Sequence, residues 1–349
     1  MIGPLTIAFV GPLYAGSTTR QRKLAFEALG HTVLPIDIVP GPLAARRLTL
    51  GWRIGRRLFG DRDESRANER LLALPETPAP DLVWIEKGLT IEPATLRVLR
   101  EKWPGAALVA FSPDDMFNPR NQSRQWRAGL PLYDLHVTTK SFNVDELRAA
   151  GARDVFFFEK GYSPEVHRPL PVTAESRAKF GGDVGFVGWP EGARERSMRH
   201  LARHGIPVRV WGPWPKWKRS PNLIVEGRPL WDDDYALALS SFRINLGFLR
   251  RVNRDQHTTR SIEIPACGGF LLAERTEEHL ALFREGVEAE FFANDDELLE
   301  KTKYYLAHED ERARIAASGL ERCRRDGYDN HSRLDHMLAN ALHKRSLAA

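Results

Sequence analysis

Leu5 to Val10 is a short apolar run closed by Gly11-Pro12. Thr18 to Leu29 then carries apolar residues at helical spacing and stops at Gly30, and Val33 to Ile38 is apolar again. Strand, amphipathic helix and strand make a βαβ unit. Further apolar runs at Leu82–Ile85, Ala107–Phe111, Leu135–Thr139 and Val155–Phe158 alternate with helical stretches at Pro93–Trp103 and Val144–Ala150. Alternation of this kind predicts a parallel, doubly wound sheet.

The pattern breaks after Gly161, where Pro164, Pro169 and Pro171 punctuate a polar stretch that reads as an interdomain connection. A second series follows: strands at Val184–Val187, Val208–Trp211, Leu223–Val225, Ile244–Phe248, Phe270–Leu272 and Glu290–Phe292, with a helix at Arg194–Arg203. "LAFEALGHTVLPI" and "MRHLARHGIPVRV" echo each other, each a helix ending at a glycine just ahead of a β-branched strand. Helical periodicity closes the chain at Asp295–His308, Ala313–Arg325 and Ser332–Leu342. These patterns predict two similar α/β domains, residues 1–165 and 170–330, and a final helix in 331–349.

Composition narrows the class only a little. The 349 residues are 42% hydrophobic and 28% charged, within the ordinary globular range. Fifty-one Lys and Arg against 46 Asp and Glu leave +5, compatible with phosphorylated ligands but too small to select among anionic partners. Cys267 and Cys323 stand apart, with no metal-ligand spacing, so a reducing, cytoplasmic compartment is expected. The first residues read as a buried strand rather than a signal peptide, and no apolar run is long enough to span a membrane.

Familiar motifs are incomplete or absent. Gly11-Pro-Leu-Tyr14-Ala-Gly16-Ser17-Thr18 resembles a phosphate loop, but Ser17 occupies the lysine position. No Gly-x-Gly-x-x-Gly follows the first strand of either half, and neither His-Glu-x-x-His nor Gly-x-Ser-x-Gly occurs. Asp232-Asp233-Asp234 contains an Asp-x-Asp metal pattern but reads better as the acidic start of a helix, so no metal site is expected. Five arginines between Arg46 and Arg57, interleaved with apolar residues, suit a solvated helix face or peripheral contact with an anionic membrane. Trp211, Trp214 and Trp217 among Lys216, Lys218 and Arg219 suggest nucleic-acid stacking, but Pro213, Pro215 and Pro221 make this a rigid ligand-binding loop after a strand, beginning at Trp211-Gly212. Nucleic acid is not expected as a partner.

Arg254 to Thr276 carries the most chemistry. Asp255 and Glu263 are eight positions apart, with His257, Thr258, Thr259 and Arg260 between them and Cys267-Gly268-Gly269 beyond. If a helix begins near Thr258, its free amides, the threonine hydroxyls and Arg260 form an anion site suited to a diphosphate. Glu263, one turn in, then accepts ribose hydroxyls, and Asp255 reaches the next sugar. In the first domain, Asp114 and Asp115 follow a strand's C-terminal end, where either serves as a base toward an acceptor hydroxyl or as a helix cap. Gly11, Tyr14, Ser17 and Thr18 lie at the equivalent end of the first strand. His136, within a strand, reads as a core residue.

The acid-x7-acid spacing ahead of "CGGFLL", the run "FVGWPEGARERSMRHLARHGIPVRVWGP" and, in the first half, "SPDDMFNPRNQS" and "YDLHVTTKSFNVDEL" resemble glycosyltransferases of the two-Rossmann GT-B fold, specifically the spore-maturation (CgeB-like) branch. The likeness is densest from Val184 to Gly319. It implies two facing Rossmann-like domains, acceptor domain first and donor domain second, with the last helix crossing back to the first. It further implies that Gly188 and Arg196 lie beside the diphosphate of a nucleotide-sugar co-substrate and that Glu263 binds ribose. Relatives usually carry Glu where this chain has Asp255. The expected reaction is metal-independent sugar transfer without a cofactor, to an unspecified acceptor; the rival is a non-catalytic nucleotide- or sugar-binding module.

Overall fold

The computed structural model of the chain describes residues 3–41, 49, 51, 52, 54, 55 and 60–346, the last seven as backbone. The arginines between Arg46 and Arg57 lie outside the described residues. Two compact units divide the chain: residues 1–159 with 330–349, and residues 160–329.

In the first unit, β1 (Thr6–Gly11), β2 (Thr32–Asp37), β3 (Leu82–Glu86), β4 (Ala107–Ser112), β5 (Leu135–Thr138) and β6 (Val155–Phe157) form a parallel sheet in the order β2-β1-β3-β4-β5-β6. Its helices are α1 (Thr18–Ala28), α2 (Ala67–Leu72), α3 (Pro93–Lys102), α4 (Arg124–Gly129) and α5 (Asn143–Ala149). Every residue of β3 and β4 is buried, as uninterrupted apolar runs require when helices cover both faces of a sheet.

The second unit repeats the plan with β7 (Gly182–Val187), β8 (Val208–Trp211), β9 (Leu223–Val225), β10 (Phe242–Gly247), β11 (Leu271–Glu274) and β12 (Glu290–Phe292), ordered β9-β8-β7-β10-β11-β12. Around them lie α6 (Ala174–Phe180), α7 (Gly192–Arg203), α8 (Asp232–Ser241), α9 (Arg260–Ala266), α10 (Glu277–Leu282), α11 (Asp295–Ala307) and α12 (Glu309–Arg325). The chain then forms α13 (Asn330–Ser346), which belongs to the first unit. Leu334, Met337 and Leu338 of α13 share a core with Ile7, Phe9 and Phe26.

Open α/β sheets bind ligands where successive strands leave in opposite directions. In the first sheet that point lies between β1 and β3, and in the second between β7 and β10.

The second unit begins at Lys160, ahead of the 165–170 boundary expected from sequence. The proline-rich connection is built into the second unit. The Lys160 ammonium donates to the His257 carbonyl (3.0 Å), and the Tyr162 amide donates to the Tyr328 carbonyl (3.1 Å). Periodicity gave no notice of α6, which carries a capping box between Thr173 and Ser176.

Candidate functional site

At the second switch point, two loop backbones touch. The Gly188 amide donates to the Trp211 carbonyl (2.9 Å), and the Trp214 indole donates to the Gly188 carbonyl (2.7 Å). Gly212 has φ 136°, and a Cβ there would come within 2.1 Å of the Gly188 oxygen, so only glycine closes this contact. Trp211 itself is not a ligand group: its ring is buried in the core and its indole N–H is bonded to the Phe180 carbonyl (3.0 Å). A Cβ on Gly188 would lie 3.5 Å from the Arg260 guanidinium carbon.

Two arginines converge here. Arg194 and Arg260 both lie over the Phe186 ring, 5.6 and 5.9 Å from its centroid. Arg194 is buried on α7, donates to the Trp189 carbonyl (3.1 Å) and stands 3.3 Å from Glu191. Burial and then the Arg260 charge pull its pKa down to about 10. Arg260 forms no ion pair with a carboxylate among the described residues, and its buried Nε has no hydrogen-bond partner. Two guanidinium groups this close, one of them with its ionisation depressed by the other's charge, favour a bound anion.

The diphosphate-side arginine expected from the family likeness was Arg196, and the structure turns that residue outward on α7. Arg194, Met198 and Leu201 form the buried stripe of this helix, and Arg196 falls on the opposite, exposed face. Its neighbour Glu195 pairs with Arg199 (3.0 Å) and with Lys218.

Arg260 opens α9, two residues later than expected. The first turn is tighter than a free helix end. The Thr258 amide donates to Ser261 Oγ (3.0 Å), and the Ser261, Ile262 and Glu263 amides all bond back to Thr258 or Thr259 carbonyls. These four amides are therefore spent within the turn and do not point outward as free helix-end donors. Thr259 sits at the cap without a side-chain capping bond.

Behind this turn, α10 holds the loop. Ser261 Oγ meets His279 Nε2 at 2.6 Å, and His279 Nδ1 meets the Glu274 carbonyl at 2.6 Å. Burial takes His279 down to about 4, so the ring is neutral near pH 7, donating from Nδ1 and accepting from the serine. His257 reaches Glu278 (2.6 Å) and so is engaged with α10. Asp255 is also occupied: Asn253 donates to it (3.0 Å) and the Lys160 ammonium lies 3.9 Å away.

Glu263 is buried one turn beyond Arg260. The Tyr235 hydroxyl donates to its Oε2 (2.6 Å), and His167 Nε2 lies 3.6 Å from its Oε1. Asp232–Asp234 occupy the first turn of α8, as expected, but the cap is Trp231 and no side chain caps the helix by hydrogen bond. Asp233 pairs instead with Arg168 (2.9 Å).

The first unit's switch point is filled differently. Gly11 ends β1, and a Cβ there would meet Thr19 at 2.5 Å and Glu86 at 2.9 Å. Arg22 forms a buried bidentate pair with Glu86, both bonds 2.7 Å, with its guanidinium over Phe111 and the Trp84 indole also bonded to Glu86 (3.0 Å). Ser17 caps α1 and donates to the Pro12 carbonyl (2.7 Å), Thr18 is the first helical residue, and Tyr14 is exposed. Asp115 is buried and accepts from the Phe117 amide and Asn143 (3.0 Å each), which makes it the residue that holds this turn. Asp114 is half-buried and pairs with Lys87 (2.6 Å). His136 lies within β5 and meets the Leu130 carbonyl (2.9 Å), with burial lowering its pKa to about 4.

Sequence reasoning missed Arg194, His167, Lys160 and the Arg22–Glu86 pair. Arg194 had a signal: it sits four and seven positions before Met198 and Leu201, on the apolar face. Among the described residues there is no group of His, Cys, Asp or Glu arranged to hold a metal, and no helix long and apolar enough to cross a membrane.

Residues 194–339 match the family model described as "Glycosyl transferase-like". No curated protein matches the chain. Similar solved structures include sucrose-phosphate synthase from Thermosynechococcus elongatus (14% identity, TM-score 0.66, 99% of each chain covered). A glycosyltransferase from Rickettsia africae ESF-5 is 13% identical, with TM-score 0.63 over 97% of this chain and 98% of that one. HepE from Anabaena, in complex with UDP-glucose, is 13% identical, with TM-score 0.61 over 96% and 100%. At such identities these likenesses establish the fold. The protein thus has the two-unit, Rossmann-like GT-B architecture, and its second half carries a glycosyl transferase-like segment that contains Arg194, Arg260 and Glu263.

Proposed function

We propose that this protein transfers a glycosyl group from a nucleoside diphosphate sugar to an acceptor hydroxyl. The observation that carries this reading is the Arg194–Arg260 pair beside Gly188, with the acceptor-only carboxylate of Glu263 one turn along the same helix. Cations for a diphosphate, one from α7 and one from α9, and an acceptor for ribose hydroxyls one turn along α9 match the two polar parts of a nucleoside diphosphate. The glycosyl transferase-like match and the UDP-glucose complex of HepE support the same class.

In the reaction, the bond between the anomeric carbon and the diphosphate oxygen breaks with its electron pair on the leaving group. The acceptor oxygen bonds to that carbon and gives up its proton. Arg194 and Arg260 stabilise the charge growing on the diphosphate, work that preorganised cations perform without a metal. Asp114 is the proposed base, because Asp115 is committed to its turn. Transfer requires no cofactor in this reading, nucleic acid is not a partner, and the enzyme acts in the cytoplasm, where buried free Cys267 and Cys323 remain reduced. Within the fold it belongs with the spore-maturation branch.

A thermal-shift screen of nucleotide sugars tests binding, since a ligand specific to the folded state raises the melting temperature. Release of free nucleoside diphosphate with an added acceptor tests transfer. A chain that binds donor but never releases the diphosphate is a binding module, and that result rejects the catalytic reading.

A further inference from the structure

Glu263 is held from two sides by residues far away in sequence. Tyr235, on α8, gives its hydroxyl proton to Oε2 (2.6 Å). Burial and then the neighbouring carboxylate raise the Tyr235 pKa well above its ordinary value, so this group remains a donor. His167 comes from the proline-rich connection. Its Nδ1 accepts the Ser163 amide (3.0 Å), which leaves the ring proton on Nε2, the nitrogen facing Glu263 Oε1 at 3.6 Å. The His167 and Tyr235 rings meet edge to face at 5.6 Å, which fixes both.

A carboxylate has about four acceptor directions, two on each oxygen. Here one on each oxygen faces a protein donor, and 6% of the side-chain surface remains open. What remains is one acceptor direction on each oxygen, a match for two neighbouring hydroxyls. We infer that Tyr235 and His167 are positioning residues that orient Glu263 to receive a vicinal diol, so that this site distinguishes ribonucleotides from their 2′-deoxy counterparts. The inference rests on the proposed role of Glu263 as the ribose acceptor.

The experiment compares affinities of the full-length protein for UDP, GDP and ADP with those for the matching 2′-deoxy nucleotides, by calorimetry. The wild type should favour the ribose form of whichever nucleotide it binds by about tenfold or more, the scale of a lost hydrogen bond to a charged group. Tyr235→Phe and His167→Leu should each reduce that ratio to threefold or less, the ribose form losing more affinity than the 2′-deoxy form, which keeps only its 3′-hydroxyl contact. His167→Gln, which restores an N–H donor, should recover part of the ratio. Melting temperatures of all variants show which are folded, and ratios are compared only within each folded protein, so a loss of stability alone cannot imitate the result.

Glu263→Gln separates the two claims. If it keeps the wild-type ratio, Glu263 is not the ribose acceptor and both readings fall. If it abolishes the ratio while Tyr235→Phe and His167→Leu retain it, Glu263 binds ribose without their help and the positioning inference alone is overturned. No binding of any of the three diphosphates by the wild type overturns both.

Discussion

The two sheets place the same device, a glycine at or just past the end of a strand at a switch point, and put opposite charge arrangements behind it. In the first unit, Gly11 is backed by Glu86, and Arg22 closes on that carboxylate through two bonds, with Phe111 covering the guanidinium. The charges are satisfied and the space is filled. In the second unit, Gly188 is backed by Arg260, and the buried Arg194 adds like charge instead of cancelling it. The first arrangement is closed from within; in the proposed reading the second is completed by the diphosphate. The difference separates a pair that satisfies its own charges from the pair proposed to hold the diphosphate, although both set arginine against an aromatic ring.

The largest expected effect breaks the closed side. Glu86→Ala leaves Arg22 as a buried uncompensated charge and should cost about 3–5 kcal/mol, read as a fall in melting temperature or denaturant midpoint. The double substitution Arg22→Met with Glu86→Leu should recover most of that loss, because removing both charges also removes their desolvation cost. A single variant that melts like the wild type would show that the pair contributes nothing to the fold.

On the open side, the effect belongs in turnover. Arg260→Ala should lower kcat about a hundredfold, roughly 2.7 kcal/mol of transition-state stabilisation, with a smaller change in donor KM and little change in melting temperature. Arg260→Lys should restore part of the rate, since a point charge lacks the guanidinium fork. Near-normal kcat in a folded Arg260→Ala protein would return this residue to the structural class of Arg22.

A smaller effect concerns pH. His279 is depressed to about 4 by burial, below its ordinary value near 6.5. The unfolded chain therefore binds a proton that the folded chain refuses between those values, so the stabilising contribution is present above about pH 6.5 and is lost as pH falls toward 4. The slope reaches at most about 1.4 kcal/mol per pH unit for this one group. Melting curves of His279→Gln should be less steep across that window; an unchanged slope would place the acid sensitivity elsewhere, with His136 in the first sheet as the matched candidate. The smallest expected effect is none: dialysis against a chelator should leave turnover intact, and activity that returns only with magnesium or manganese would reject Arg194 and Arg260 as sufficient.

The sheets were legible because buried parallel strands are uninterrupted apolar runs, and each expected strand lies within a residue or two of its observed position. Glu263 and Arg260 could be singled out because their spacing fits one turn of a helix. Other parts of the site do not follow periodicity. The choice between Arg194 and Arg196 depended on which face of α7 is buried, and the likeness to a family pointed to the exposed one. Trp211 stands where a ligand loop begins, yet its indole is directed to the Phe180 carbonyl in the core. His167 lies in a stretch whose prolines signal a connection, and nothing in its neighbours marks a histidine that folds back under α9. The Arg22–Glu86 pair joins residues 64 positions apart, a contact that only the sheet order creates.

The division of the chain into 1–159 with 330–349, around 160–329, also orders events in time. As the polypeptide emerges from the ribosome, all residues of the second unit exist before Leu334, Met337 and Leu338 are made. Those three side chains complete the hydrophobic core around Ile7 and Phe9, which precede them by more than 300 residues. The first unit's core is therefore completed only after every residue of the second unit has been made, whereas folding during synthesis usually proceeds from the amino terminus.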